Sequence, residues 1–233
     1  MRRGTLIVTE PEGGATVIDQ PSVLFYPRRC RHRLQADEGN GAEIVCASIA
    51  FGAGMLNPLV RALPEVLIVP LNSAMELAPA VELLFAEAFA EHPGRQTAVD
   101  RLAEYLLVLL LRAAMKARLV EGGVLMGLAD PRLAHAINAI HARPEHSWTL
   151  GELAHAAGMS RARFAVHFRE IVGLTPFDYL ADWRVGMAQA LLKRGNSLAI
   201  VAPSVGYSSP AALTRAFRQR VGASPKEWLS EKP

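Results

Sequence analysis

The sequence predicts a chain of the α+β class, in which a β-rich part comes first and an all-α part comes last. Three observations lead to this prediction. The first seventy residues contain short β-branched segments separated by Gly and Pro. Two long apolar helical patterns follow, and the last hundred residues use one helical unit twice. We therefore expect a partial β-barrel or sandwich with two helices, followed by two helical units joined by a long helix.

The β-rich part is predicted to contain five strands. They cover residues 5–9, 15–19, 22–26, 44–51 and 66–69. Their Val, Ile and Thr content suits a pleated sheet, and Gly13-Gly14, Pro21 and Pro27 mark turns between them. Several short strands with turn signals indicate a small barrel or sandwich.

Two helices are predicted next, over residues 75–91 and 97–118. The second contains the densest apolar run of the chain, residues 105–111. A helix that is apolar on all sides is buried, so this one is expected inside the monomer or between two subunits. Residues 121–130 are interpreted as a connector to the all-α part.

The repeat lies in residues 160–180 and 209–229, offset by 49 positions. Ser160 and Ser209 begin the two copies, and Phe168-Arg169 matches Phe217-Arg218. A repeated segment indicates one supersecondary unit built twice. Two copies are too few for a solenoid and predict a paired module.

The first copy reads as two helices joined by a tight turn. Thr149 and Glu152 form the capping-box pattern of a short helix, which Gly158 ends. Ser160 caps the second helix. The predicted core positions of the two helices are Leu150, Leu153, Ala157, Phe164, Phe168 and Ile171.

The second copy repeats this arrangement. Ser197 is predicted to cap its first helix, Gly206 to turn the chain, and Ser209 with Pro210 to begin the next helix. The predicted core positions are Leu213, Phe217 and Val221. Helix, short turn with Gly, helix is the helix-turn-helix motif. Pro203 conflicts with the first of these helices, which it should kink or loosen.

Between the copies, residues 176–194 are predicted to form a long helix of about 27 Å. Its apolar side holds Tyr179, Leu180, Trp183, Met187, Leu191 and Leu192. Such a spacer would hold the two units near one turn of DNA apart, about 34 Å.

Charge is divided unevenly along the chain. The net charge is +3, but residues 131–233 carry 13 Lys and Arg against 7 Asp and Glu, a net +6. Residues 1–130 carry 12 against 15, a net −3. This asymmetry predicts that the second part meets phosphate and the first part does not.

The paired units resemble the DNA-binding domain of AraC/XylS-type transcription regulators. The resemblance covers roughly residues 131–230, including Gly158-Met159-Ser160-Arg161, Val205-Gly206-Tyr207 and Gly222-Ala223-Ser224-Pro225. From about residue 18 to residue 69, the chain is similar to the cupin-like sensor half of some of these regulators. Fewer strands fit before Ser22 than such halves usually carry, which predicts a partial barrel.

The resemblance implies three regions: a cupin-like β domain over 1–72, a helical linker over 73–129, and a DNA-binding domain over 130–233. It implies a cytoplasmic transcription regulator, an activator or a repressor. Its partners would be double-stranded DNA, RNA polymerase, a second copy through residues 97–118, and an unidentified small-molecule or redox effector. No enzyme activity, cofactor, metal or membrane partner is expected, and no export signal is visible at the start of the chain.

A helical wheel selects the residues that would face DNA, in recognition helices at about 160–171 and 209–221. They are Ser160, Arg161, Ala162, Arg163, Ala165, Val166, Arg169, Ser209, Ala211, Thr214, Arg215 and Arg218. Arg215 can pair with guanine in the major groove. Arg161, Arg163, Arg169 and Arg218 are interpreted as phosphate contacts, and the small apolar residues as thymine-methyl contacts.

A basic segment interrupts the acidic part of the chain. Arg29, Cys30, Arg31 and His32 lie in a run of six residues with four arginines. This segment could be a solvated loop, an anionic effector site, or a setting that activates the Cys30 thiol. Cys46 is predicted to be a small core residue in a strand.

Two other function classes stay open. A cupin-type metal enzyme with a DNA tether would need a ligand set, but no HxH…E…H pattern accompanies His32. The histidines at 135, 141, 146 and 155 are interpreted as surface or packing residues. An effector-independent DNA-binding adaptor is consistent with the short β-rich part.

Overall fold

A computed structural model describes residues 1–10, 13–39, 41–49, 51, 57–120 and 122–230. By its contacts the chain divides into two compact units. The first contains residues 1–49 and 63–119, and the second contains residues 50–62 and 120–233. A short segment that lies early in the sequence therefore belongs to the second unit.

The first unit contains all the strands that the structure describes. In chain order they are β1 Arg3–Gly4, β2 Leu6–Thr9, β3 Ala15–Ile18, β4 Ser22–Phe25, β5 Arg33–Ala36, β6 Ala42–Glu43 and β7 Leu67–Pro70. They form three antiparallel sheets, with strand orders β1-β6, β3-β2-β5 and β4-β7. Leu6 of the central strand β2 faces Ile18 on one side and Ala36 on the other.

Four of the five predicted strands form, with ends shifted by one residue or less. The fifth, over 44–51, is wrong: residues 44–49 and 51 are not in a strand, and residue 50 lies outside the described residues. Its partner β1 begins at Arg3, and Met1 is already bonded to Ser22 through its ammonium group and its carbonyl oxygen. The ladder between β1 and β6 pairs Arg3 with Glu43 and does not continue as a strand into residues 44–49.

The helices of the first unit follow the strands. A 3₁₀ turn at Met75–Leu77 leads into α2 Ala78–Phe89, and α3 covers Arg95–Lys116. They pack with β7 around a core of apolar side chains. These are Val69, Leu71, Leu77, Val81, Phe85, Leu109 and Leu110.

Burial of α3 is one-sided within this unit. Leu109, Leu110 and Ala114 are buried, whereas Tyr105 is 55% exposed and Val108 is 44% exposed. The expectation that the helix is buried on all sides is wrong for the monomer. No helix in the described part of the chain is long and apolar enough to cross a membrane.

In the described residues, the regular secondary structure of the second unit consists of helices alone. Its helices are α1 Pro58–Ala62, α4 Val124–Ala129, α5 Leu133–Ala142, α6 Leu150–Ala156, α7 Arg161–Val172, α8 Pro176–Lys193, α9 Leu198–Ser204, α10 Pro210–Val221 and α11 Pro225–Ser230. The segment that was predicted to be a connector thus holds the helix α4, while Glu121 lies outside the described residues.

Helix α8 connects two hydrophobic cores. The first core surrounds Phe164, Phe168 and Tyr179, and the second surrounds Leu213, Phe217 and Val185. Because helices pack on it from several sides, α8 buries more than the predicted stripe. The buried residues outside the predicted stripe are Pro176, Asp182, Val185, Gly186, Ala188 and Gln189.

Candidate nucleic-acid interface

The first helix pair, α6 and α7, has the local structure that its sequence predicts. Thr149 Oγ1 accepts the N–H of Glu152, and a carboxylate oxygen of Glu152 accepts the N–H of Thr149 at 2.7 Å. These two bonds form a complete capping box. Ser160 caps α7 by accepting the N–H of Arg163. Phe164 and Phe168 are fully buried and hold α7 on the core.

The second helix pair, α9 and α10, has the same frame with weaker caps. Ser209 accepts the N–H of Ala212, and Pro210 begins α10 as predicted. Ser197 occupies the cap position of α9, but its side chain makes no cap hydrogen bond, so that part of the prediction is wrong. Pro203 lies in the last turn of α9, where its missing N–H costs one bond and the helix ends at Ser204.

The turns inside the two pairs have the same geometry. Gly158 and Gly206 adopt positive φ values of 61° and 84°. In the first turn, the N–H of Met159 reaches back to the carbonyl oxygen of Ala154 at 2.9 Å, and that of Gly158 to His155. In the second turn, Tyr207 and Gly206 make the corresponding bonds. Both are Schellman motifs, in which glycine avoids the strain of a Cβ atom.

The outer side of α7 presents the residues that the wheel selected. Ser160, Arg161, Ala162, Arg163, Val166 and Arg169 are exposed, and Ala165 is half-buried. Val166 is a large apolar side chain that is 59% exposed. Among the predicted core residues, Ile171 is only partly buried, and Val172 takes the core position.

The outer side of α10 is more polar. Ala211, Arg215 and Arg218 are exposed, while Ser209 and Thr214 are half-buried. The Thr214 hydroxyl donates to the carbonyl oxygen of Pro210 at 2.8 Å, so its hydrogen is already used inside the helix. The free guanidinium donors of this side therefore belong to Arg215 and Arg218.

Each helix pair is followed by a helix with a capped first turn, α8 after the first pair and α11 after the second. The alignment of the two sequence copies did not identify these caps. Asp178 N–H donates to Thr175 Oγ1 at 3.1 Å, and Glu227 N–H donates to Ser224 Oγ at 3.3 Å. A hydrogen bond from the Thr175 hydroxyl is the main reason that the pKa of Asp178 is lowered, and the charge of Arg169 contributes. The pKa of Glu227 is lowered chiefly by Ser224, with a contribution from Arg218. Arg169 and Arg218 thus have carboxylates nearby at equivalent positions.

Comparison with known proteins agrees with this architecture. Residues 1–116 match the family described as Cupin, and residues 153–231 match the family described as Helix-turn-helix domain. The transcriptional regulator MtrA of Neisseria gonorrhoeae is 32% identical over 90% of this chain and 77% of its own. The chain belongs to the AraC-like family of transcription regulators.

Two further relatives place this AraC-like chain among regulators. A putative AraC-like transcription regulator of Streptomyces lividans is 33% identical over 83% of this chain, which spans only 65% of that relative's length. The RCS-specific HTH-type transcriptional activator RclR of Escherichia coli is 28% identical over 98% of this chain and 82% of its own.

A half-buried arginine joins the two helix-turn-helix units of the AraC-like domain. Arg184 of α8 donates to the carbonyl oxygens of Pro144 and His146 at 2.6 and 2.8 Å. Its guanidinium also lies over the ring of Tyr207. A Cβ atom on Gly206 would lie 2.7 Å from this guanidinium, so the glycine is needed for space as well as for its φ value.

A side-chain hydrogen bond holds the flank of α7. His167 Nε2 lies 2.7 Å from Asp130 Oδ2, while the other carboxylate oxygen accepts the N–H groups of Arg132 and Leu133. Burial opposes ionisation of Asp130, but these hydrogen bonds outweigh it and lower its pKa. Asp130 therefore connects the start of α5 to α7.

The basic segment around Cys30, in the β-rich unit, is exposed. Arg29, Cys30, Arg31 and His32 all face solvent, and the His32 ring stacks on Tyr26 with centroids 4.2 Å apart. The thiol of Cys30 lies 3.5 Å from the carbonyl oxygen of Arg31. Cys46 is also exposed, so its predicted core position is wrong, because the strand expected around it does not form. Among the described residues, no group of three or more His, Cys, Asp or Glu is placed to hold a metal ion.

Proposed function

We propose that this chain binds specific sequences of double-stranded DNA and regulates transcription there, with α7 and α10 as recognition helices. One observation carries the proposal. At the same offset in both units, aromatic residues are buried and the opposite side of the helix presents arginine or small apolar residues to solvent. A helix with such a side can enter the major groove, which admits an α-helix.

The two helices would read DNA differently. Arg215 is exposed and can make a bidentate contact to guanine O6 and N7. On α7 the central outward residues are Ala162, Ala165 and Val166, which can contact only thymine methyl groups. Arg169 and Arg218 have a carboxylate nearby in each unit, which favours a positioned phosphate contact over base readout. Arg161 lies against Gly151 of α6, and with Arg163 it is assigned to the phosphate backbone.

Selection of duplexes from a random library by the full chain tests this proposal. We expect one enriched sequence with two half-sites about one helical turn apart. Affinity for it should fall steeply with salt, since phosphate contacts release counterions. Equal affinity for selected and random duplexes at moderate salt would contradict sequence-specific binding.

The wider assignment is part of the proposal. Residues 1–72 would form the cupin-like sensor part, 73–129 the helical linker, and 130–233 the DNA-binding part. A non-enzymatic role in the cytoplasm, where the DNA lies, fits relatives that are transcription regulators, one of them an activator by name. RNA polymerase would be the partner of such a regulator.

A homodimer through residues 97–118 is proposed from the exposed side of α3. Tyr105 and Val108 are three residues apart on that side and leave apolar surface in water. Sedimentation of the native chain and of Tyr105→Glu should give a dimer and a monomer respectively. A native monomer at micromolar concentration would contradict this assignment.

The basic segment is proposed as the effector-responsive site, with two mechanisms that make opposite demands on Cys30. If the thiol responds to an oxidant, Cys30→Ser should bind DNA normally and lose the response to hypochlorite or peroxide. If the segment binds an anionic effector, Cys30→Ser should be nearly silent, and Arg29→Ala with Arg31→Ala should lose effector affinity. No change with any of these variants would leave a solvated loop.

A further inference from the structure

Helix α1 packs closely on the helical unit although it lies between β6 and β7 in the sequence. Ala62 lies against the core that surrounds Phe168. Gly123 lies at the point of closest approach, where an added Cβ would be 2.5 Å from the Cβ of Ala62. A larger side chain at either position would separate the two segments. The two segments therefore pack so closely that a single added methyl group would collide.

One strong polar contact fixes α1 on α8. Arg61 Nη1 lies 2.7 Å from Asp182 Oδ2. The Asp182 side chain is 3% exposed, whereas that of Arg61 is 44% exposed. A buried carboxylate needs a partner charge, because removal from water is costly. Burial raises the pKa of Asp182 even though two arginines lie beside it. The two arginines therefore compensate only part of the cost of burying this charge.

The second arginine belongs to α10. Arg220 Nη1 lies 3.1 Å from Asp182 Oδ1, a charge contact without the geometry of a hydrogen bond. Arg220 Nη2 is bonded to Asp178 Oδ1 at 2.6 Å. Arg220 therefore spans two carboxylates of α8 from the last turn of α10. The same helix carries Arg215 and Arg218 on its exposed side.

Asp182 thus divides its two oxygens between α1 and α10. Loss of Arg61 would leave Oδ2 without its hydrogen bond, and Arg220 would be the remaining cation within reach. A cavity of about 150 Å³ beside Arg61 and Asp182 has room for water, which would reduce the cost of that loss. The expected result is a rearrangement of Arg220 rather than unfolding.

We propose that α1 docks on the DNA-binding unit to set the position of α10, and that Arg61 is a positioning residue for DNA binding through Asp182 and Arg220. The proposal rests on the DNA-binding function proposed above. Residues 63–66 join α1 to β7, so the docked helix is continuous in sequence with the β-rich part. Through α1, that part is connected to the recognition helix α10.

The experiment compares four full-length variants with the native chain. Arg61→Ala removes the positioning contact, and Arg95→Ala is the matched control. Arg95 is an exposed arginine at the start of α3, outside residues 97–118, and its guanidinium donates to the carbonyl oxygen of Ala90. Asp182→Asn removes the buried charge, and the double variant Arg61→Ala/Asp182→Asn measures whether Arg61 acts through that charge.

Affinities are measured on the selected duplex and on two duplexes in which one half-site is scrambled. We expect Arg61→Ala to lose roughly tenfold in affinity for the intact duplex. The loss should persist when the α7 half-site is scrambled and vanish when the α10 half-site is scrambled. Asp182→Asn should restore most of the loss in the double variant. If Arg61 instead contacts phosphate, Arg61→Ala should lose the same affinity on all three duplexes, as expected when one phosphate contact is removed. Asp182→Asn should then not restore the affinity in the double variant. That pattern would overturn the proposal.

Hydrogen exchange without DNA gives a second readout that does not depend on the proposed function. Arg61→Ala should speed exchange at the amides of α1 and of the last turn of α10, while Arg95→Ala should match the native chain. If the native chain binds no specific duplex, the proposed function fails and exchange still tests docking. Unchanged exchange together with unchanged half-site affinities would overturn the docking proposal alone.

Discussion

The two helix-turn-helix units share one frame and differ in how they are stabilised and in what they present. Both turn at a glycine with positive φ, both cap the second helix with serine, and both bury a phenylalanine at Phe168 or Phe217. The first unit adds a complete capping box at Thr149. The second lacks a side-chain cap at Ser197 and has Pro203 in its first helix.

The difference teaches that the frame and the reading surface are separable. The buried positions repeat because each helix must fill the same kind of core. The outer positions are free of that constraint and differ between the helices: Val166 of α7 corresponds to Arg215 of α10, and Arg163 corresponds to Ala212. The second unit also has contacts with other parts of the domain, since Arg184 of α8 lies over Tyr207 and Arg220 contacts Asp178 and Asp182 of α8.

The largest expected effect tests whether the two frames are equivalent. Phe168→Ala and Phe217→Ala should each lower the free energy of unfolding by about 3–5 kcal/mol, because both rings are fully buried. Urea unfolding of the two variants measures this. A cost below about 1 kcal/mol for Phe217→Ala would show that the second frame is loosely packed.

The next effect separates the reading surfaces. Arg215→Ala should relax specificity at one base pair, at a cost of about 1–3 kcal/mol. Arg169→Ala should weaken all duplexes similarly and reduce the salt dependence. Competition binding with single base-pair substitutions distinguishes the two. A uniform loss for Arg215→Ala would assign that residue to the phosphate backbone instead.

A smaller effect is a loss of folding stability at acid pH, and it concerns the first helix-turn-helix unit. His141 bonds the Tyr179 hydroxyl at 2.6 Å and stacks on Trp183, and burial lowers its pKa from 6.5 to about 4. The unfolded chain therefore binds a proton before the folded one does. This contribution to stability is complete above pH 6.5 and is lost as the pH falls towards 4.

Between pH 8 and pH 5 the loss should be about 1–2 kcal/mol, allowing for the partial exposure of the ring. Unfolding measured at both pH values, with His141→Gln as the control that cannot titrate, tests the assignment. An equal loss in the control would mean that other groups cause the acid sensitivity.

The smallest effect compares the two caps. Thr149→Ala should cost about 1 kcal/mol, since it removes a bonded helix cap. Ser197→Ala should change stability by less than about 0.5 kcal/mol, because its side chain makes no cap bond. Thermal unfolding of the pair measures the difference. Equal costs would show that Ser197 caps α9 in solution.

The local features of this chain were determined by the sequence itself. The capping box at Thr149, the turns at Gly158 and Gly206 and the burial of Phe164, Phe168, Leu213 and Phe217 were all predicted, and the structure confirms them. Each depends on residues within a few positions of one another, so a pattern of caps, turns and helical spacing is sufficient to specify it.

Contacts between distant residues were decided only by the tertiary structure. The 44–51 segment has a strand composition, but its described residues form no strand, since the ladder with β1 ends at Glu43 and Met1 bonds Ser22 instead. Arg33–Ala36 was not predicted to be a strand, yet it pairs with β2. Asp182 was not among the predicted buried positions of α8, and Arg61 and Arg220 reach it from two other helices. A helical wheel treats one face as buried, but α8 packs on several sides, and which charges meet there depends on how the whole unit folds.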